Sequence, residues 1–302
     1  MPAALLLYSQ SMSSINRTIS PSIKFHDAAF DPAFCEKFCL VLQAGDSRLT
    51  LAVLDNLSND FLAFEQYVFR KADNDPLLAE QLQNVIAGHE WLTNGFKRVD
   101  ALVVSERFTL VPAALFDSQH AKDYLAFNQP LDTNDAVLVD MLRNAEARNI
   151  YAIDASLEKM LKKISPAVRI RHHLSPLIER TLSVTKNKEG RRVFAHVRQG
   201  NFDLVISESG NLLLANTYKY QTSEDFIYFL LYATEQLKMN PETMELEIAG
   251  EVAEDSAIAG LAKKYVRQVR FADHPVEARF AKGFEQFPDH FHYDLFAAHY
   301  YS

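Results

Sequence analysis

A chain of 302 residues with 48% apolar side chains can bury a full core, which excludes disorder for its body and leaves one large domain or two of ordinary size. With 31 basic against 39 acidic residues the formal charge is -8, and no long basic run offsets it, so no nucleic-acid partner is expected. Cys35 and Cys39 are the only cysteines, and this scarcity excludes a disulfide-stapled secreted scaffold and fits a reducing, cytoplasmic compartment.

Residues 1–29 read as a loosely ordered leader, in which a short apolar run at 2–8 gives way to serine-rich sequence without the preceding basic stretch of a secretory signal. Residues 37–44, 48–55 and 62–69, rich in β-branched and aromatic side chains, predict three consecutive strands with turns at Gly45-Asp46 and 56–60. Pro76 at the first position of a helix capped by Asp75, with Leu82, Val85, Ile86 and Leu92 at helical spacing, predicts a helix to about residue 93. A strand at 99–105 follows, then a mixed segment containing Pro112, a helix near 119–127 and strands at 136–142 and 150–153. A helix at 156–164 stopped by Pro166, a strand at 168–172 and a helix at 176–184 complete this half. The charged stretch 186–192, with Gly190, reads as a linker or hairpin tip.

The pattern then recurs. Strands at 192–198, 202–207 and 212–218 are joined by Gly200-Asn201 and Ser209-Gly210-Asn211. Ser223, with Glu224 and Asp225 in the first turn, opens a helix to residue 238 that carries Phe226, Phe229, Leu230, Ala233 and Leu237 inward. A strand at 244–249, a helix at 256–265 and a strand at 269–271 end the second half. A meander that continues into parallel βα units is a mixed sheet, and two in tandem predict two lobes, 30–186 and 187–302, with a cleft between them. No apolar stretch reaches the roughly 20 residues that cross a bilayer, the nearest being 226–233, so no membrane span is expected.

That duplicated order, over residues 30–275, resembles the actin-like ATPase superfamily, and the stretch 223–237 through Glu247-Ile248-Ala249-Gly250 is similar to an uncharacterised bacterial domain-of-unknown-function family sharing that fold. The resemblance implies an α/β fold of duplicated, ribonuclease H-like lobes, each a mixed sheet with a three-strand meander and flanking helices. It also implies ATP and magnesium as cofactors, with Gly45, Asp46, Ser47, Gly200, Asn201 and Gly250 at the nucleotide-binding positions. In active members an aspartate and glycines in the first hairpin of each lobe hold hydrated magnesium and admit phosphate.

Here Gln43 stands where the first carboxylate belongs, and His196-Val197-Arg198-Gln199-Gly200-Asn201 has no acidic residue at the strand end. Ile248-Ala249-Gly250-Glu251 offers one glycine followed by a carboxylate that repels phosphate. These departures disfavour ATP hydrolysis, and no catalytic residue is assigned. The resemblance therefore implies a degenerate, non-catalytic module in protein interaction or assembly. The alternative is an ATP-binding phosphotransferase or ATPase using the inter-lobe cleft, with carboxylates from Asp46 and Asp203.

His290, His292 and His299 with Asp289 and Asp294 are residue types that bind zinc when they converge, but His-Phe-His directs its rings apart in extended chain, so a solvated aromatic tail docking on the body is expected, with no metal. In His172-His173, likewise, one ring is expected inside the sheet and one outside. Cys35 and Cys39 lack the spacing of a redox pair and are expected to be buried thiols. P-loop, dinucleotide and serine-hydrolase glycine motifs are absent. Aromatic residues on most sides of the helix at Phe226, Tyr228, Phe229 and Tyr232, and along the tail from Phe284 to Tyr301, leave two readings open: an unknown protein partner or self-association covers them, or the tail packs across a lobe.

Overall fold

A computed structural model describes residues 19–45, 47–69 and 78–300. Its first sheet contains β1 (Ile23–His26), β2 (Phe38–Gly45), β3 (Arg48–Asp55), β4 (Asp60–Val68), β5 (Arg98–Val103) and β9 (Arg169–His172), in the order β1-β4-β3-β2-β5-β9. β2, β3 and β4 form the antiparallel meander, and β5 and β9 add in parallel. Alternation along β2 sends Leu40, Leu42 and Ala44 into the main core and Cys39 and Val41 into a second cluster on the opposite face. Both faces are covered, which is why the strand is apolar at nearly every position.

The helix α1 (Leu78–Gly88) packs on the main-core face, and its expected start at Asp75 and Pro76 lies outside the described residues. Between β5 and β9 the chain inserts a small sheet of β6 (Phe108–Pro112), β7 (Asp135–Leu142) and β8 (Ala147–Asp154), ordered β6-β8-β7, with the helices α2 (Ala121–Asn128) and α3 (Ala155–Ile164). β6 occupies the segment expected to be mixed. Pro112 ends it on the sheet's outer edge, where a missing N–H breaks no ladder.

The second sheet repeats the first in the order β12-β11-β10-β13-β14, from β10 (Arg191–Arg198), β11 (Asn201–Glu208), β12 (Asn211–Lys219), β13 (Glu245–Gly250) and β14 (Gln268–Phe271). α5 (Ser223–Gln236) and α6 (Ala257–Tyr265) cover one face through Phe226, Leu230 and Ala262. Thr222 and Asp225 close a reciprocal capping box at the start of α5, one residue before the expected Ser223.

α4 (Leu174–Thr185) joins the lobes. It buries Leu174, Leu177, Ile178 and Leu182 in a cluster that runs from the first sheet to Phe194, Val205 and Ala249 of the second. The interface is thus apolar core, comparable to the inside of a domain.

Two segments differ from expectation. Within the supposed leader, residues 23–26 form β1, paired antiparallel to β4, because Ile23 and Phe25 pack on the apolar outer face of the first sheet. The C-terminal tail, expected as a solvated segment docking on the body and assigned to the second lobe, docks on the first lobe and is buried there. β15 (Arg279–Phe280) pairs with β4, and α7 (Tyr293–Ala297) is buried. Phe284, Leu295 and Phe296 pack on Phe61 and Phe64, with Phe61 and Phe296 centroids 4.8 Å apart. The tail thus covers a lobe, and most of its aromatic residues need no partner to do so. No helix among the described residues is long and apolar enough to cross a membrane.

Candidate functional site

The repeated topology brings the β2–β3 hairpin end of one lobe towards the β10–β11 hairpin end of the other. The space between them is lined by Gln43, Gly45, Arg48, His196, Arg198 and Gly250, together with His292 and Asp294 from the tail. A cleft between two lobes is a usual place for a ligand, and this one holds a cavity of about 30 Å³. A nucleotide-sized ligand needs roughly 300–1,000 Å³.

The protein's own side chains fill the remainder. Gln43 donates its amide to Asp294, and Arg48 pairs with Glu251 and donates to Gln199 at 3.0 Å, tying the two hairpin regions together. Asp203, opposite His196 in the β10–β11 register, is wholly buried. Its carboxylate accepts from Arg198 at 3.1 and 3.2 Å, from Thr217 Oγ1 at 2.7 Å and contacts His173 Nε2 at 3.1 Å. His196 lies between the two acids, 3.5 Å from Asp203 and 3.4 Å from Asp294, as long ion pairs without hydrogen-bond geometry.

Burial opposes charge on His196, but the Asp294 and Asp203 carboxylates outweigh it and raise the imidazole to about 9. Burial likewise works against ionised Asp294 and Asp203, yet His196 holds Asp294, and Arg198 with His173 holds Asp203, well below the usual carboxylate range. At neutral pH two carboxylates are therefore matched by Arg198 and protonated His196, a closed charge balance with no cation missing.

The expected nucleotide-binding residues fare differently. Gly45 and Gly250 line the cavity, Asn201 faces a separate groove beside β12, and Asp46 lies outside the described residues. Gly200 (φ +78°) turns the second hairpin in open space, and Ser47 (φ +58°) turns the first, its carbonyl accepting from Phe69 N at 2.7 Å. Gly250, at φ +92°, is required by packing: a Cβ there would collide with the Val197 carbonyl. Its N–H donates to the His290 carbonyl at 2.7 Å, so the amide that a phosphate would need already serves the tail.

Magnesium-ATP does not fit this arrangement. Gln43 carries no charge, Asp203 has its lone pairs filled beside a guanidinium, and the volume is that of a water molecule. The histidines do not gather either: His290 Nε2 bonds the Val252 carbonyl at 2.7 Å, and no metal-binding group of three occurs among the described residues. His172 and His173 do not divide inside and outside as expected. Both are fully buried, 4.3 Å apart, because the start of α4 is covered by both lobes. Cys35 and Cys39 are buried free thiols. Glu251 was legible as a carboxylate at the cleft loop, whereas nothing in the spacing marked Asp294 or Arg48 as cleft residues, and the apolar residues at 293–298 were the signal that the tail is buried.

The order 3-2-1-4-5 in both sheets and the central cleft define an actin-like ATPase fold. The family described as a protein of unknown function, DUF3822, matches residues 27–269, and the chain belongs to it. A solved Bacteroides thetaiotaomicron protein, described as having an actin-like ATPase fold and unknown function, is similar at 27% identity with TM-score 0.73, covering 80% of this chain and 93% of that one. A type IV pilus biogenesis complex, PilM-PilN, shares the fold at 12% identity and TM-score 0.50, covering 82% and 92%. No curated protein matches the sequence.

Proposed function

We propose that this chain is a non-catalytic actin-fold module that works through protein contacts, as a scaffold or assembly component. The observation that carries the proposal is Asp294: a residue from the tail enters the cleft, takes the Gln43 amide and neutralises His196, where a ligand's phosphates would lie. A surface suited to contacts remains on α5, where Tyr228 and Tyr232 stack at 6.2 Å while 61% and 50% exposed.

Titration calorimetry of the full chain with magnesium-ATP tests it, with released phosphate measured in parallel. No heat at millimolar nucleotide and no phosphate release are expected. Micromolar binding would overturn the proposal and favour a phosphotransferase or ATPase whose tail withdraws on binding. In that second reading Asp46 supplies the carboxylate, since Asp203 is already saturated.

A further inference from the structure

The chain is acidic overall, yet one trough collects arginines. It runs between β7, the outer strand of the inserted sheet, and β9, the outer strand of the first sheet, with a volume of about 270 Å³. Val139, Met141, Arg143, Arg169, Arg171 and Glu179 line it, over Asp140. Arg169 is committed to Asp100 at 2.7 Å. Arg143 and Arg171 form no ion pair within 4 Å among the described residues and act on Glu179, and Arg171 on Asp140, only at longer range.

The acids in the trough are occupied by other donors. Asp140 accepts from Ser175 Oγ at 2.6 Å and from His172 N at 2.9 Å, and Glu179 accepts from Asn144 N at 3.0 Å. The two strands differ in what their edges offer. The edge of β9 is sealed, its Ile170 carbonyl accepting from Tyr151 at 3.2 Å and its His172 N–H held by Asp140. On β7, which among the described residues pairs only with β8, Val139 and Met141 stand on one face, 39% and 56% exposed. An outer strand with exposed apolar side chains normally carries charge or cover against pairing, and here Arg143 and Arg171 outnumber the one half-buried acid on the flanks, Glu179.

We infer that this trough receives an extended acidic segment of a partner protein, which lies along the β7 edge with its carboxylates on Arg143 and Arg171. The inference rests on the protein-contact function proposed above and names the chemistry of the partner. Arginine forks bind carboxylates bidentately, strand addition supplies main-chain hydrogen bonds, and the net charge of -8 makes a local pair of arginines the place where an acidic segment is least repelled. A volume of 270 Å³ takes a few side chains rather than a folded surface, so the recognised unit is linear.

The test is fluorescence anisotropy on the full chain with a labelled octapeptide alternating Glu and Val, against a Gln–Val octapeptide of the same length. Amide hydrogen exchange is followed on the complex. The acidic peptide is expected to bind at least about tenfold more tightly than the neutral one. Arg143→Glu/Arg171→Glu should remove that preference, Arg143→Lys/Arg171→Lys should retain part of it, and exchange should slow at residues 137–141. Equal binding of both peptides, unchanged binding to the charge-reversed variant, protection elsewhere, or no binding at millimolar peptide each overturns it. Magnesium-ATP binding would overturn the proposed function without altering any of these peptide results, so the two failures are told apart.

Discussion

Asp294→Asn removes one charge from the cleft while keeping the side chain's shape. Asp294 is 2% exposed, takes the Gln43 amide and sits 3.4 Å from His196 Nε2. Without it His196 retains only Asp203, already shared with Arg198, Thr217 and His173. Removing one partner of a buried ion pair costs about 3–5 kcal/mol. The pH dependence gives a second reading of the same contact. His196 is raised from 6.5 to about 9, so it stabilises the fold in full below pH 6.5 and loses that contribution as pH rises to 9. The difference of about 2.5 pH units corresponds to about 3 kcal/mol. Urea unfolding at pH 6, 7.5 and 9.5 should show wild-type stability falling across this window, with the variant weaker at pH 6 and much flatter with pH. A variant as stable as wild type at pH 6, or one with the wild-type slope, would refute the assignment of Asp294 as the counter-ion of His196.

Glu65→Gln should cost about 3 kcal/mol, because the buried carboxylate joins β1 to β4 through Lys24 at 3.1 Å and His26 at 2.8 Å and holds His89, which follows α1, at 3.2 Å. The Glu65 carboxylate raises His89 against the opposing effect of burial, so NMR titration of His89 in the variant should show its pKa lowered from the wild-type value. Gly250→Ala should destabilise by at least about 2 kcal/mol in denaturant, since the residue combines φ +92° with a collision against Val197. Burial pushes the Cys35 thiol up to about 11 and raises Cys39 as well, so neither should react with a disulfide reagent at pH 8 until the protein unfolds, when both do.

The strands and helices of both lobes were readable because each repeats a local signal: β3 occupies residues 48–55 as expected, and β10, β13 and α6 lie within a residue of their expected bounds. β1 was missed because a four-residue edge strand carries too little alternation, and its apolar residues matter only once β4 and the tail are beside them. The departure at Gln43 was visible as a missing carboxylate, but its consequence was not, since the group that answers it lies 251 residues later. Asp203 was considered as a metal ligand. Its saturation by Arg198, Thr217 and His173 depends on three separate elements, a convergence that spacing does not encode. The same holds for His172 and His173, where alternation predicted opposite faces and the joining of α4 to both lobes buried both.

The tail that closes the cleft also sets an order of assembly in time. Gln43 and Asp294 are 251 residues apart, so at about 5–20 residues per second a ribosome delivers them roughly 10–50 s apart. Throughout that interval Phe61 and Phe64 lie on a sheet face whose cover of Phe284 and Phe296 has not been made. A product that stops before residue 284 would keep Phe61 and Phe64 covered only by the β1 side chains Ile23 and Phe25, so that sheet face would stay partly open to non-native contacts.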